Sequence, residues 1–250
     1  MKELYLLTSL NELNDAFIAE AAPKEKQHFR ISHLATMAAC LALVLVAVGL
    51  VRLVPLSNTS ILLPTLSERS QGISVRYNAN PKTAMTEGCL AWLSLEEIFA
   101  PETMIFRGTV RDIQNYDLSF NGDVVTRAIA TVSVNEVLQG DFCVGAEIQI
   151  LLPCPITGDI RISATEVTAQ MRVDMEGIFM PKAYDADAYW EQNGAILYLQ
   201  DLAPYGLWDG MRWVFLDTNR GLVFDKSVHE GAVNSENLDE IEDYIREQIK

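Results

Sequence analysis

From 31 to 51 the chain reads ISHLATMAACLALVLVAVGLV, with no acidic or basic side chain apart from His33. At about 1.5 Å of rise per residue this stretch reaches about 31 Å, enough to cross a hydrocarbon core of about 30 Å. Its apolar character runs all round rather than along one stripe, as expected of a helix surrounded by lipid. A buried core helix is the competing reading, and the length disfavours it. A cleaved signal peptide would carry an apolar core of only about 7–15 residues, followed by small residues at a cleavage site. Arg52-Leu53-Val54-Pro55-Leu56 offers no such site, so the pattern predicts an uncleaved signal-anchor, a transmembrane helix over 31–52. Lys24, Lys26 and Arg30 precede it, whereas Arg52 stands alone on the far side until Arg69. That bias puts the N-terminus in the cytoplasm and the C-terminal bulk outside. The expected localisation is a single-pass protein of the cell membrane.

The tail, residues 1–30, carries one short amphipathic helix. Ser9 and Glu12 read as a capping box, and Leu10, Leu13, Phe17 and Ile18 share a face until Pro23. So short a helix is marginal alone. It lies on the lipid surface or docks on a cytoplasmic partner, with Leu10, Leu13 and Phe17 as anchors. Residues 53–87 are rich in Ser, Thr, Asn and Pro without sustained periodicity, which reads as a stalk or linker.

Residues 88–250 read as an extracytoplasmic β domain. Ser94 and Glu97 bracket a short helix closed by Pro101. The segments 104–116 and 124–138 are rich in β-branched residues and flank Asn121-Gly122, a strong hairpin signal. Gly140-Asp141 marks the next turn, and 146–152 alternates Ile148 and Ile150 with Glu147 and Gln149. Further strands are predicted at 173–180, 195–199, 211–216 and 222–224, the last two joined as a hairpin. Asn237 caps a closing helix with Leu238, Ile241, Ile245 and Ile249 on one face. The predicted class is mainly β with peripheral helices: the transmembrane helix, a small antiparallel barrel or a β-sandwich, and a C-terminal helix.

Composition narrows the function. Against 34 acidic residues stand 19 basic ones, a formal charge of −15, so nucleic acid is not an expected partner. His229 is the outer domain's single histidine, no G-x-S-x-G turn accompanies it, and a surface position is expected for it. No His/Cys set has metal-ligand spacing, so neither a metal site nor a cofactor is expected. Asp174, Glu176, Asp185, Asp187 and Glu191 would suit calcium chemically, but no EF-hand-type loop is present and a solvated acidic face is the preferred reading. Cys89, Cys143 and Cys154 leave open one bridge through Cys89 or three reduced, buried thiols, the second preferred. Tyr184, Tyr189, Trp190, Tyr205, Trp208 and Trp213 form an aromatic group. Packing accounts for such a group, and a ligand groove is the functional reading, with Tyr184, Tyr189, Trp190 and Trp208 as candidate ligand-binding residues.

Two resemblances add to this. The tail NELNDAFIAEAAPKEK, the basic patch and the AACLALVL span resemble single-span membrane proteins of Gram-positive clostridia, anti-sigma-factor-like in layout. That likeness implies a cytoplasmic regulator such as a sigma factor as a partner. The zinc-containing subclass of such tails is excluded, because no cysteine precedes Cys40. The outer strings SLEEIFAPETMIFRGTV, ATVSVNEVLQGD and AEIQIL are similar to OB-like barrels of the netrin and tissue-inhibitor-of-metalloproteinase type. Phe106-Arg107-Gly108-Thr109-Val110 matches that family's v-x-G-x-V core, and Val137-Leu138-Gln139-Gly140-Asp141 its v-l-x-G-d turn. The likeness implies barrel geometry. Only Cys89 stands where the inhibitors carry C-x-C, so protease inhibition is not implied. The expected function is that of a membrane-anchored binding or sensor protein, not an enzyme, whose partners are the bilayer, an envelope ligand or protein, and a cytoplasmic regulator. An envelope structural or adhesion module and an anchored envelope hydrolase are the alternatives.

Overall fold

Asn121 and Gly122 both adopt positive φ, 46° and 102°, the geometry of a two-residue hairpin turn whose twist matches its strands. They join β2 (Ile105–Phe120) to β3 (Asp123–Gln139), the long hairpin on which everything else is built. The structure is a computed structural model that describes residues 63–81, 90–157 and 164–250. The expected tail with Leu10, Leu13 and Phe17, the expected span over 31–52, and Cys89 lie outside the described residues. Among the described residues no helix is long and apolar enough to cross a membrane.

Ahead of the hairpin come β1 (Ile73–Tyr77) and α1 (Leu95–Ile98). After it follow β4 (Glu147–Leu152), β5 (Glu176–Phe179), β6 (Lys182–Ala183), β7 (Tyr189–Gln192) and β8 (Ala195–Tyr198). The chain closes with β9 (Tyr205–Gly206), β10 (Val214–Thr218), β11 (Gly221–Val223) and α2 (Leu238–Gln248). Nine strands form one curled half-barrel sheet in the order β11-β10-β5-β2-β3-β4-β9-β6, with β1 also on β2, and β7–β8 is a separate hairpin. The pairs are antiparallel except β4 with β9. The mainly β class with a C-terminal helix therefore stands. Ser94 and Glu97 form the expected capping box on α1, and Asn237 caps α2 by accepting from the Glu240 N–H at 3.0 Å.

One irregularity organises the interior. From Gly108, which pairs with Val134, to Val110, which pairs with Val132, even-numbered positions of β2 face even-numbered positions of β3. Between Val110 and Asp112 the register shifts, and from there even positions of β2 pair with odd positions of β3. A one-residue slip sends every following side chain to the other face. Phe106 and Val110 thus join a core with Ala128, Val132, Ile150 and Leu152. Tyr116, Leu118 and Phe120 join a second core with Ile129, Leu151 and Leu197. Gly108 pairs with Gly177 near the same place, and a Cβ on either would stand 2.6 Å from a backbone oxygen. The sheet curls where its side chains are missing.

Three sequence expectations are corrected. The stretch 53–87, read as a stalk, supplies β1, which pairs with the outer half of β2 from Ile73–Phe120 to Tyr77–Tyr116. Ser67 and Ser70 are also tied to Asp201 by hydroxyl hydrogen bonds of 2.9 and 2.5 Å. The alternation Ile73, Val75, Tyr77 is what the sheet edge uses. Cys143 is exposed rather than buried, and it and Cys154 are free thiols.

His229 is not a surface residue: its exposure is 0%. The imidazole is caged by the rings of Phe99, Phe215, Phe224 and Tyr244. Its Nε2 lies 3.0 Å from the Arg212 carbonyl and its Nδ1 3.2 Å from the Tyr244 hydroxyl. A carbonyl only accepts, so Nε2–H donates to it and Nδ1 accepts from the Tyr244 O–H. Burial lowers the histidine's pKa and keeps it neutral. The acidic stretch flanks it in sequence, whereas the cage is built from rings on both sides of that stretch and from the distant Phe99.

Candidate functional site

The β7–β8 hairpin is placed by its own tight turn. Asn193 and Gly194 have φ of 49° and 70°. Asn121 donates through Nδ2 to the Asn193 carbonyl at 3.0 Å, and Asn193 Nδ2 donates back to the Phe120 carbonyl at 3.2 Å. The two hairpin tips therefore hold one another. Strand alternation then decides which ring of β7 goes where. Trp190 turns inward against Phe120, ring centroids 4.7 Å apart, and Tyr189 turns outward to Tyr198 at 6.0 Å.

Trp190 forms one wall of an open cleft of about 240 Å³. Tyr184, just beyond β6, and Trp208, just beyond β9, form others, with Leu151, Leu152 and Pro153 at the floor. Trp208 is 64% exposed, a large apolar surface left bare. Its ring also meets the Lys182 ammonium, 4.6 Å from the ring centroid. Tyr184 sits directly over Gly206, where a side chain would collide with its ring and hydroxyl. That contact makes the glycine necessary in β9.

Arg127 completes the cleft. It stands on the same face of the sheet as Ile129 and Leu151, half-buried, with its guanidinium carbon 5.1 Å from the Trp190 ring centroid. Nη1 donates to the Thr126 carbonyl at 3.0 Å. Among the described residues it has no carboxylate partner, and no Asp or Glu lines the cleft. The neighbouring groups are neutral: burial pushes the Cys154 thiol up to about 11 and the Tyr184 phenol up to about 12. Burial also lowers the Arg127 pKa, opposed by those two neighbours. A guanidinium nevertheless stays charged in a protein. The site is thus a partly desolvated cation against the Trp190 ring in an aromatic-lined cleft.

Of the aromatic group expected from the sequence, Tyr184, Trp190 and Trp208 come together here. Tyr189 does not line the cleft. Tyr205 packs on Phe142, ring centroids 5.2 Å apart. Trp213 is wholly buried, its indole N–H donating to Asp209 at 2.7 Å. Arg127 was not legible as a site residue, since an arginine within an alternating strand reads as an ordinary exposed charge.

A second buried network also escapes sequence reading. Asp209 accepts from Arg212 Nε at 2.8 Å and from the Arg212 and Met211 N–H groups, and Arg212 Nη1 donates to the Ala91 carbonyl at 2.7 Å. Those groups are paired among themselves, so the network is a brace. A larger groove of about 830 Å³ lies beside it along Leu90–Glu96 and Gly231, and the cation there, Arg212, is already occupied by Asp209. Glu176, one of the acids considered for calcium, pairs with Arg107 at 2.9 Å. Among the described residues no three acidic, His or Cys side chains gather at metal-binding spacing. No family model, curated protein or solved structure matches this chain.

Proposed function

We propose that this protein is a membrane-anchored, extracytoplasmic binding or sensor protein that works by recognition rather than turnover. The anchor is the apolar stretch 31–52, and the recognition surface is the cleft of Arg127, Tyr184, Trp190 and Trp208. The observation that carries the reading is the convergence of three aromatic side chains from separate segments on a guanidinium without a carboxylate partner among the described residues. Pockets for small molecules are mainly apolar walls with a few placed polar groups, and this cleft has that make-up. The curled sheet suits the OB-like barrel reading, with the long β2–β3 hairpin as its spine. The tail, through Leu10, Leu13 and Phe17, passes the signal to a cytoplasmic regulator such as a sigma factor.

Native mass spectrometry of the full chain, taken from the membrane in which it is made, tests this. The wild type is expected to carry a small-molecule adduct that disappears in Trp190→Ala and Trp208→Ala. An adduct-free wild type, or an adduct unchanged in both variants, counts against recognition through this cleft.

A further inference from the structure

We infer that the cleft recognises a small carboxylate carrying an apolar or planar body, an inference that rests on the cleft being the binding site. The chain as a whole is strongly acidic, at −15, yet among the described residues this cleft is lined by a cation and no acid. The long-range repulsion of an anion decays over about 8 Å at physiological ionic strength, so within the cleft the local charge decides. Arg127 spends one donor on the Thr126 carbonyl. A guanidinium has five N–H donors in a planar fork, and the fork matches a carboxylate bidentately.

Partial burial makes the Arg127 charge costly to hold. A desolvated charge is tolerated only when something compensates it, and here the Trp190 ring face supplies part of the compensation. A bound carboxylate supplies the rest. The neutral Tyr184 and Cys154 groups add no competing negative charge.

Shape selects the body of the ligand. The Trp190 and Trp208 rings line it, and Leu199 and Leu207 extend the apolar wall. About 240 Å³ falls below the ~300–1,000 Å³ of drug-sized sites, so the cleft takes a metabolite-sized acid or the acidic end of a longer chain. Among the described residues one cation lines the cleft, which suits a singly charged carboxylate better than a dianionic phosphate.

Fluorine NMR of the full chain in detergent micelles, with its four tryptophans carried as 5-fluorotryptophan, reads this directly. The probes are phenylacetate, phenylacetamide and phenylphosphonate. Phenylacetate is expected to shift the Trp190 and Trp208 signals saturably, with the amide at least tenfold weaker and the phosphonate no tighter. Arg127→Gln is expected to bring acetate and amide to within about twofold of each other. Equal binding of acetate and amide to the wild type overturns the inference while leaving the cleft a binding site. A tighter phosphonate overturns the choice of carboxylate. A cleft silent to all three overturns the inference, and the native adduct then decides the broader reading separately.

Discussion

Replacing His229 with alanine removes an imidazole from a cage that has no opening to solvent. The cost has two parts. Truncating a buried ring leaves a cavity and loses its packing, on the order of 2–4 kcal/mol. The Arg212 carbonyl and the Tyr244 hydroxyl each lose their partner in a buried setting, which adds about 1–2 kcal/mol. The sum, about 3–6 kcal/mol, is a large share of the ~5–15 kcal/mol that holds a domain folded. His229→Phe leaves no cavity but loses the hydrogen bonds and adds a somewhat bulkier ring, so it is expected to cost less than alanine, about 1–3 kcal/mol. Urea unfolding followed by tryptophan fluorescence measures both. The wild type also carries a pH signature. The folded histidine has a lowered pKa, so below its ordinary value near 6.5 the unfolded chain binds a proton that the folded chain refuses. Stability is therefore fully present above about pH 7 and falls as pH drops through 6.5, by at most about 1.4 kcal/mol per unit until the folded value is reached. The Arg212 carbonyl, Asp225 and Asp209 favour the protonated ring and the Arg212 charge opposes it, but burial dominates. In His229→Phe that portion of the slope is expected to vanish. An alanine variant within 1 kcal/mol of wild type, or slopes identical in wild type and His229→Phe between pH 7.5 and 5.5, would refute the reasoning.

Gly206→Ala is expected to push Tyr184 out of its place and weaken phenylacetate binding severalfold with a smaller loss of stability, as read by parallel titration and melting. A fragment of residues 60–250 is expected to unfold at a higher urea midpoint than one of residues 88–250, because the shorter one lacks β1 and bares the outer edge of β2. Equal midpoints would show that β1 contributes nothing to the sheet. A reporter active only outside the cell, fused after Lys250, is expected to be active, and the same reporter placed at residue 28 inactive. The reverse pattern would invert the proposed topology.

How much of this was legible in the chain varies with the range of the interaction responsible. Asn121-Gly122 names its own hairpin, because positive φ at both turn positions is a local demand. Asn193-Gly194 carries the same signal and specifies the hairpin that positions Trp190, yet a reading centred on runs of β-branched residues passes over it. The register shift after Val110 leaves no mark at all: buried positions of β2 remain even-numbered from Phe106 to Phe120 while the face they bury against changes. Strand β9, two residues long and parallel to β4, has no periodicity to detect. For the cleft, aromatic residues flagged three of its walls. Arg127 stayed hidden because its significance is the lack of a carboxylate partner among the described residues, a property of the fold rather than of any motif. His229 misled for the opposite reason, since its neighbours in sequence are polar and its neighbours in space are rings.

The most direct test of recognition by this cleft is a crystallographic or cryo-microscopic map of the protein with phenylacetate bound. The expected result places the ring between Trp190 and Trp208 and the carboxylate oxygens about 2.7–2.9 Å from the Arg127 guanidinium nitrogens. A probe seated elsewhere, or one in the cleft with its carboxylate turned to solvent and Arg127 unmoved and unbonded, would contradict the account.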